Sequence, residues 1–195
     1  MTLQYLLDFF FPPQCGSCEQ LGTGLCERCF PPQACLSARL RTLEVVALGA
    51  YEGCLRRAIV ALKNGRRDVA RALAARLVQA VPPKATLVPV PTTAARRRER
   101  GFDGCALLAR HTVQLTAAGL CTGLVQTRGD RQRGRRREER LSAKGRFEWR
   151  GGQLHGQSVI LLDDVVTTGA TLEDCASALR TAGARVEQAI VVARA

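Results

Sequence analysis

One stretch near the C-terminus constrains the fold of this chain more than any other: SVILLDDVVTTGATL at residues 158–172. Its nearly continuous apolar start predicts an interior strand of a parallel sheet at 158–164, because both faces of such a strand are buried. A short loop containing Thr and Gly follows, and the spacing of apolar residues then predicts a helix over 170–181 that Gly183 ends. A strand that leads through a tight loop into a helix is the unit from which open α/β sheets are built.

The rest of the chain shows the same alternation of strands and helices. Strands are predicted at 43–51, 86–90 and 184–195, and helices at 55–63, 68–80 and 104–117. We therefore predict an α/β fold with an open, mostly parallel sheet flanked by helices. We divide the 195 residues into a small N-terminal unit, 1–40, with a helix-like apolar start and a cysteine cluster, and the α/β domain, 41–195.

Two adjacent carboxylates, Asp163 and Asp164, end the apolar strand, at the sheet edge where ligands of open α/β sheets bind. The loop and the first helical turn carry three hydroxyl side chains: Thr167, Thr168 and Thr171. These hydroxyls and the helix N-terminal amides suit an anion, and Gly169 allows close approach of the backbone. Together with the carboxylates they suit a sugar phosphate. An ordinary strand–turn–helix with Thr or Asp as helix cap is the alternative, but it leaves the repulsion between adjacent carboxylates unexplained.

Four of the nine cysteines form two Cys-x2-Cys pairs separated by seven residues: Cys15 with Cys18, and Cys26 with Cys29. Four thiolates in this pattern suit a tetrahedral Zn²⁺ ion, and a site with four protein ligands is structural. Unligated thiols or a redox pair are the alternative, and Cys35 is a spare that could replace one ligand. Four further cysteines in apolar sequence surroundings are predicted to be small core residues: Cys54, Cys105, Cys121 and Cys175.

The formal net charge is +12, and many arginines lie in two blocks, RRRER at 96–100 and RQRGRRREER at 131–140. Arginine forms paired hydrogen bonds with phosphate groups, so a polyphosphate ligand or a nucleic acid is the expected partner. The alternative for the second arginine block is that it forms a solvent-exposed loop with no ligand. Stacking of single-stranded nucleic acid needs interleaved aromatic residues, and only Phe147 and Trp149 lie nearby, which weakens a dedicated nucleic-acid function.

No apolar run approaches the roughly 20 residues that a membrane-spanning helix needs. The apolar start of the chain has no preceding Lys or Arg and is interrupted by Asp8, so a secretory signal is not expected. A cysteine cluster in such a protein indicates metal binding rather than disulfides. We therefore expect a soluble, cytoplasmic protein.

The stretch at 159–172 resembles the 5-phosphoribosyl-1-pyrophosphate (PRPP) motif of type I phosphoribosyltransferases. Over most of its length the chain also resembles one branch of these proteins, the ComF family of competence proteins. The shared features are the N-terminal cysteine cluster, LKNG at 62–65, VPVP at 88–91, RGF at 100–102, and Gln132 followed by Glu139-Arg140. The chain departs from the family pattern at Asp103-Gly104, where Asn-Gln is usual, and around Ala143, and these departures concern the acceptor pocket and hood.

The resemblance implies a type I phosphoribosyltransferase-like fold that binds PRPP, with Mg²⁺ bridging pyrophosphate and ribose oxygens. Asp163 and Asp164 would hold the ribose hydroxyls, and with Lys63 and Arg100 they form the implied catalytic group. Arg100 and Gly101 would belong to a flexible loop that closes over the reacting centre. The implied PRPP-binding residues are Asp163, Asp164, Val165, Thr167, Thr168, Gly169, Ala170, Thr171, Lys63, Asn64, Gly65, Arg100 and Gly101.

The resemblance further implies a role in DNA uptake and natural transformation, with single-stranded DNA and other competence proteins as partners. Two hypotheses follow from it. In the first, the protein transfers the phosphoribosyl group to an acceptor and releases pyrophosphate. In the second, PRPP regulates a non-catalytic component that binds single-stranded DNA. A nucleic-acid-binding zinc protein with a vestigial site is a third, weaker alternative.

Overall fold

The computed structural model describes residue 10, residues 12–127 and residues 146–195. Its strands are β1 (Leu36–Arg39), β2 (Glu44–Ala50), β3 (Thr86–Pro89), β4 (Gly119–Leu120), β5 (Leu124–Gln126), β6 (Phe147–Trp149), β7 (Ser158–Val166) and β8 (Arg185–Arg194). Its helices are α1 (Gly53–Lys63), α2 (Arg67–Leu77), α3 (Ala94–Arg100), α4 (Gly104–Leu115) and α5 (Ala170–Thr181), with a 3-10 turn at Val78–Ala80.

Six of the described strands form one sheet in the order β1-β2-β8-β7-β3-β4. Only β1 and β2 are antiparallel; the other neighbouring strands are parallel, so the predicted open, mostly parallel sheet is confirmed. β7 lies in the interior between β8 and β3, which explains its nearly all-apolar sequence. Leu162 of β7 is paired with Pro89 of β3 and with Ile190 of β8, so these strands run to the same edge of the sheet.

Apolar side chains pack on both faces of the sheet. Leu161 of β7 lies in the layer under α5, with Leu172 and other buried residues. Leu162 points to the opposite face and packs in the layer formed by α1, α2 and α4, which includes Leu73 and Leu108. This alternation follows from the period of two along a strand. Burial of each such leucine contributes about 2 kcal/mol relative to leaving it exposed.

β5 and β6 form a separate antiparallel pair that the sequence analysis did not predict. Phe147, one of the two aromatic residues near the second arginine block, is buried in the core layer that includes α5, and Trp149 packs at its margin. The Trp149 indole N–H donates a hydrogen bond to the Gly152 carbonyl at 2.8 Å. The predicted N-terminal helix-like segment, the arginine block at 131–140 and the positions around Ala143 lie outside the described residues.

The cysteine segment, residues 14–35, packs against α2. Leu25 is buried in the same core layer as the α2 side chains. The Gln14 backbone N–H donates to Asp68 Oδ2 at 3.0 Å. Arg66 donates to the Gln14 carbonyl and to Asp68 Oδ2, each at 2.6 Å. Apolar burial and charged hydrogen bonds therefore fix this segment on the α/β domain.

Helix α1 provides a second attachment for the cysteine segment. Arg57 Nε donates to Ser17 Oγ at 2.9 Å. Gly16 lies so close to Ala58 and Val69 that a side chain there would force the Val69 methyl groups to shift. Among the described residues, no helix is both long enough and apolar enough to cross a membrane.

Candidate ligand and metal sites

The carboxylate pair, Asp163 and Asp164, lies in the last part of β7, near the carboxyl edge of the sheet. The strand continues to Val166, two residues beyond its predicted end, so the two acids belong to the strand itself. Parallel strands lie on both sides of β7. The carboxyl edge of such a sheet is where ligands of this architecture bind.

The loop between β7 and α5 leads through a glycine into the helix. Gly169 is the N-cap of α5 with φ +79°, in the left-handed region that favours glycine. The Ala170 N–H donates to Thr168 Oγ1 at 3.4 Å. A cavity of about 40 Å³ is lined by Asp163 and the whole loop, which includes the predicted residues Val165, Thr167, Thr168, Gly169, Ala170 and Thr171.

Lys63 connects α1 to the carboxylate pair. It is the last residue of α1, and its Nζ lies 2.9 Å from Asp164 Oδ2. Asn64 follows as the helix C-cap, and Gly65 turns the chain with φ +93°. The two charged side chains are 28% and 20% exposed, so water and an incoming ligand can reach both. The fold thus brings two predicted site residues together although they lie far apart in the sequence.

Asp163 has a more enclosed environment than Asp164. Its Oδ1 accepts hydrogen bonds from the Asp164 N–H at 2.8 Å and from the Cys105 thiol at 3.2 Å. Burial, followed by the charge of Asp164, raises the pKa of Asp163 to about 7. Burial also raises the pKa of Cys105 well above its usual value, so the thiol stays a neutral donor. Cys105 is buried as predicted, but its contact with Asp163 was missed, because it depends on how α4 packs against β7.

Arg100 and Gly101 lie at the end of α3. The Thr93 hydroxyl caps this helix by accepting from the Arg96 N–H at 3.1 Å, and Gly101 ends it with φ +75°. The resemblance implies that Arg100 belongs to a flexible loop, whereas in the structure it is the last residue of helix α3. Within the described residues, Arg100 makes no hydrogen bond or ion pair with the carboxylate pair.

Asp103, one of the departures from the family pattern, has a structural role. It is the N-cap of α4, and its Oδ1 accepts from the Ala106 N–H at 3.1 Å. Its Oδ2 accepts from the Thr92 N–H at 3.0 Å. The carboxylate therefore fixes the start of α4 to the chain that follows β3.

The second candidate site is the cysteine cluster. The four Sγ atoms lie within 4.8 Å of one another: Cys15, Cys18, Cys26 and Cys29. Zinc–sulfur bonds of about 2.3 Å in a tetrahedral site separate the sulfur atoms by about 3.8 Å, so these thiols can hold a zinc ion. Cys35 lies outside this cluster and packs against the apolar core instead.

The thiols of the cluster differ in their surroundings. The backbone N–H of Gln20 lowers the pKa of Cys18 to about 6, whereas burial raises that of Cys29 to about 12. The neighbouring side chains of Ser17 and Cys29 lower the pKa of Cys54. Arg57 donates to the Cys54 thiol at 3.2 Å. Cys54, predicted as a core residue, is therefore half-buried beside the four clustered thiols.

Comparison with known proteins places these sites in a family. The model of the phosphoribosyl transferase domain matches residues 56–195. The competence protein ComFC of Bacillus subtilis (strain 168) is 33% identical over 97 residues, which are 50% of this chain and 39% of that protein. The match therefore covers less than half of the relative's length.

Two crystal forms of a hypoxanthine phosphoribosyltransferase from Staphylococcus aureus show a distant likeness. Their TM-scores are 0.38 and 0.37, at 12% and 13% identity. The aligned parts cover 70% and 69% of this chain, and 64% and 62% of those chains.

The family match includes most of the elements that build the first site. Residues 56–195 contain Lys63 at the end of α1, the carboxylate pair on β7 and the loop that leads into α5. The relative confirms the resemblance to ComF, and the parallel sheet agrees with the implied fold. By its matched length and its topology, this chain belongs to the phosphoribosyl transferase domain family.

Proposed function

We propose that this protein binds PRPP at the carboxylate pair and the loop that follows it. The observation that carries the proposal is the position of Asp163 and Asp164 between the β7–α5 loop and Lys63. The carboxylates accept hydrogen bonds from the ribose hydroxyls, and the loop amides and Thr hydroxyls bind the 5′-phosphate. In this orientation Lys63 and the turn at Asn64-Gly65 lie beside the pyrophosphate group of PRPP.

The donor set at this site fits Mg²⁺. Asp163, Asp164 and Cys105 place one ligand atom each within 4.8 Å of one another. Mg²⁺ takes oxygen ligands and retains several waters, so the two carboxylates and the PRPP oxygens would hold it, and the thiol would not. The ion supplies positive charge that stabilises pyrophosphate as a leaving group.

The protein's own groups contribute to the same chemistry. When the C1–O bond of PRPP breaks, positive charge develops on the ribose and negative charge on pyrophosphate. Lys63 releases Asp164, forms an ion pair with the pyrophosphate instead and stabilises the negative charge that develops on this leaving group. The Cys105 thiol and the Asp164 N–H both donate to Oδ1 of Asp163, which leaves Oδ2 of that residue for the ligand. We propose that Arg100 approaches the pyrophosphate when the ligand binds.

Titration calorimetry of PRPP in the presence of Mg²⁺ tests this proposal. We expect Asp164→Asn to weaken binding by about tenfold or more, because it removes a charge from the ion and hydroxyl site. Asp174→Asn is the matched control, since Asp174 of α5 forms a solvent-accessible ion pair with Arg146 and does not line the proposed site. A folded, metal-loaded protein that gives no heat with PRPP would contradict the proposal, as would equal binding by the Asp164→Asn variant.

We further propose a role in DNA uptake during natural transformation. The similarity to ComFC and the net charge of +12 favour it. One version is transfer of the phosphoribosyl group to an acceptor; the other is regulation by PRPP of a component that binds single-stranded DNA and other competence proteins. Pyrophosphate release over a panel of bases, amines and nucleic acids separates the two. Both versions place the protein in the cytoplasm.

The cysteine cluster completes the proposal as a structural zinc site. All four ligand positions are protein thiols, which leaves no position for a substrate. We assign residues 1–40 to this zinc unit and residues 41–195 to the phosphoribosyltransferase-like domain, with β1 of the first unit adding the antiparallel edge strand to the sheet of the second. Metal analysis of the purified protein tests the assignment, with about one zinc ion per chain as the expected result.

A further inference from the structure

A cavity beside the carboxylate pair contains three arginines that the proposed PRPP site does not use. Its volume is about 630 Å³, within the range of about 300–1,000 Å³ that is usual for small-ligand sites. Arg67, Arg97 and Arg110 line it, and they come from α2, α3 and α4 respectively. We call it the arginine cavity.

The arginine cavity has a positive charge that the described part of the chain does not neutralise. Among the described residues, none of its three arginines forms an ion pair with a carboxylate. The one acidic residue in the lining is Asp103, and both of its oxygens accept backbone hydrogen bonds. Three arginines and one carboxylate leave a formal charge of +2 around a concave surface. Such a surface attracts anions, and guanidinium groups bind phosphate through paired hydrogen bonds.

The cavity also offers an apolar wall. Phe102 lines it together with Pro89 and Pro91. The Phe102 ring lies near the turn of the predicted pyrophosphate loop, 3.7 Å from the place where a Cβ of Gly65 would be. An aromatic face suits stacking with a planar ring, while the arginines suit a phosphate. These features together fit a nucleoside monophosphate better than an uncharged base.

The cavity adjoins the proposed PRPP site and shares Gly101 with it. Neither acid of the carboxylate pair nor Lys63 lines it, and residues 122–126 place it on the β4 side of β3. β7, which carries the acids, lies on the opposite side of β3 at a strand spacing of about 4.8 Å. A ligand in the cavity would therefore lie one strand away from a bound PRPP molecule.

We propose that the arginine cavity binds a nucleoside monophosphate as the second ligand of this protein. This inference deepens the proposed function and depends on it for the identity of the neighbouring ligand. The three-sided wall of helices and its volume fit one nucleotide unit, so a free nucleotide is the ligand that we favour over a nucleic-acid strand. The phosphate contacts the arginines, and the base stacks near Phe102.

Calorimetry with the full chain tests the inference, with AMP, GMP, CMP and UMP as probes and their nucleosides as uncharged counterparts. We expect at least one nucleotide to bind about tenfold or more tightly than its nucleoside, because each charge-assisted contact to phosphate is lost with the phosphate. The double variant Arg97→Gln with Arg110→Gln is expected to lose this preference. Arg56→Gln with Arg71→Gln is the matched control, since it removes the same charge from exposed positions outside the cavity.

Three outcomes would overturn the inference. The first is equal affinity for a nucleotide and its nucleoside. The second is the same nucleotide preference in the cavity variant and its control. The third is binding of a single-stranded oligonucleotide without any binding of mononucleotides. PRPP binding by the same samples separates this inference from the proposed function. PRPP binding retained by the cavity variant supports two distinct sites. If the protein does not bind PRPP but binds nucleotides through the arginines, the proposed function is refuted and the assignment of the cavity stands.

Discussion

Replacement of Asp163 by Asn is expected to stabilise the fold above neutral pH while it weakens PRPP binding. Burial raises the pKa of Asp163 from its usual 3.8 to about 7. Between these two values the folded protein holds a proton that the unfolded chain has released, so the free energy of unfolding falls as pH rises through this window. Below about pH 4 both states are protonated, and this destabilisation is absent.

The magnitude follows from the two pKa values. Each pH unit between them corresponds to about 1.4 kcal/mol, which sets an upper limit of about 4 kcal/mol above pH 7. Relaxation of the site lowers this value, and we expect Asp163→Asn to gain about 1–3 kcal/mol at pH 8. The amide keeps the local hydrogen bonds, because the Cys105 thiol and the Asp164 N–H both donate to Oδ1, which Asn retains.

Urea denaturation of the wild-type protein and the variant at pH 5, 6, 7 and 8 measures this effect. The stability difference is expected to grow with pH in favour of the variant, and the exposed Asp174→Asn control is expected to show no such trend. A variant that is less stable than the wild type at pH 8, or a difference that does not change with pH, would refute the argument that an enclosed carboxylate destabilises this strand.

The other predictions concern the pH dependence of binding, the cysteine cluster and the glycine before α5. PRPP affinity should rise with pH through about 7 in the wild type, because Asp163 accepts from ribose hydroxyls best as a carboxylate; calorimetry at pH 6 and 8 that shows no rise would count against its role. Cys15→Ser should lose zinc and melt at a lower temperature, because the Cys15 side chain is buried in the cluster. Cys35→Ser, outside the cluster, should retain the metal. Elemental analysis that finds the zinc content unchanged in both variants would exclude the cluster as the zinc site. Gly169→Ala should lower the free energy of unfolding by about 1–3 kcal/mol, because φ is +79° and the new methyl group would overlap Leu40. Adding Leu40→Ala to this variant should restore part of the lost stability. A denaturant titration that shows no change for Gly169→Ala would contradict this reasoning.

Much of the fold could be predicted because its signals are local. β7 and α5 follow from an apolar run, a loop with Gly169 and a helical periodicity, all within one continuous stretch. The mostly parallel sheet follows from the alternation of strands and helices. The cysteine cluster follows from the spacing of its two pairs, and the structure brings the same four thiols together.

The remaining features depend on contacts between distant segments. β5 and β6 have three residues each, so neither carries enough alternation to be recognised, and they are defined by their pairing. α3 has the sequence AARRRER, which lacks an apolar face, and its bounds come from the Thr93 cap and the turn at Gly101. The partners of Cys105 and Cys54 are set by helix packing, which no short sequence pattern contains.

Helix α1 has a consequence for the handling of this protein in solution. Arg57, near the middle of this helix of 11 residues, bonds to the cysteine segment, and Lys63 at its C-terminal end contacts Asp164, so the two contacts lie about 9 Å apart along the helix axis. A helix that is held at both contacts transmits a displacement from one to the other, and thermodynamic linkage makes the effect reciprocal. With zinc bound as proposed, chelators, oxidation during storage or incomplete metal loading would then lower the affinity for PRPP, which touches none of the four clustered cysteines, and saturating PRPP would slow the release of the metal.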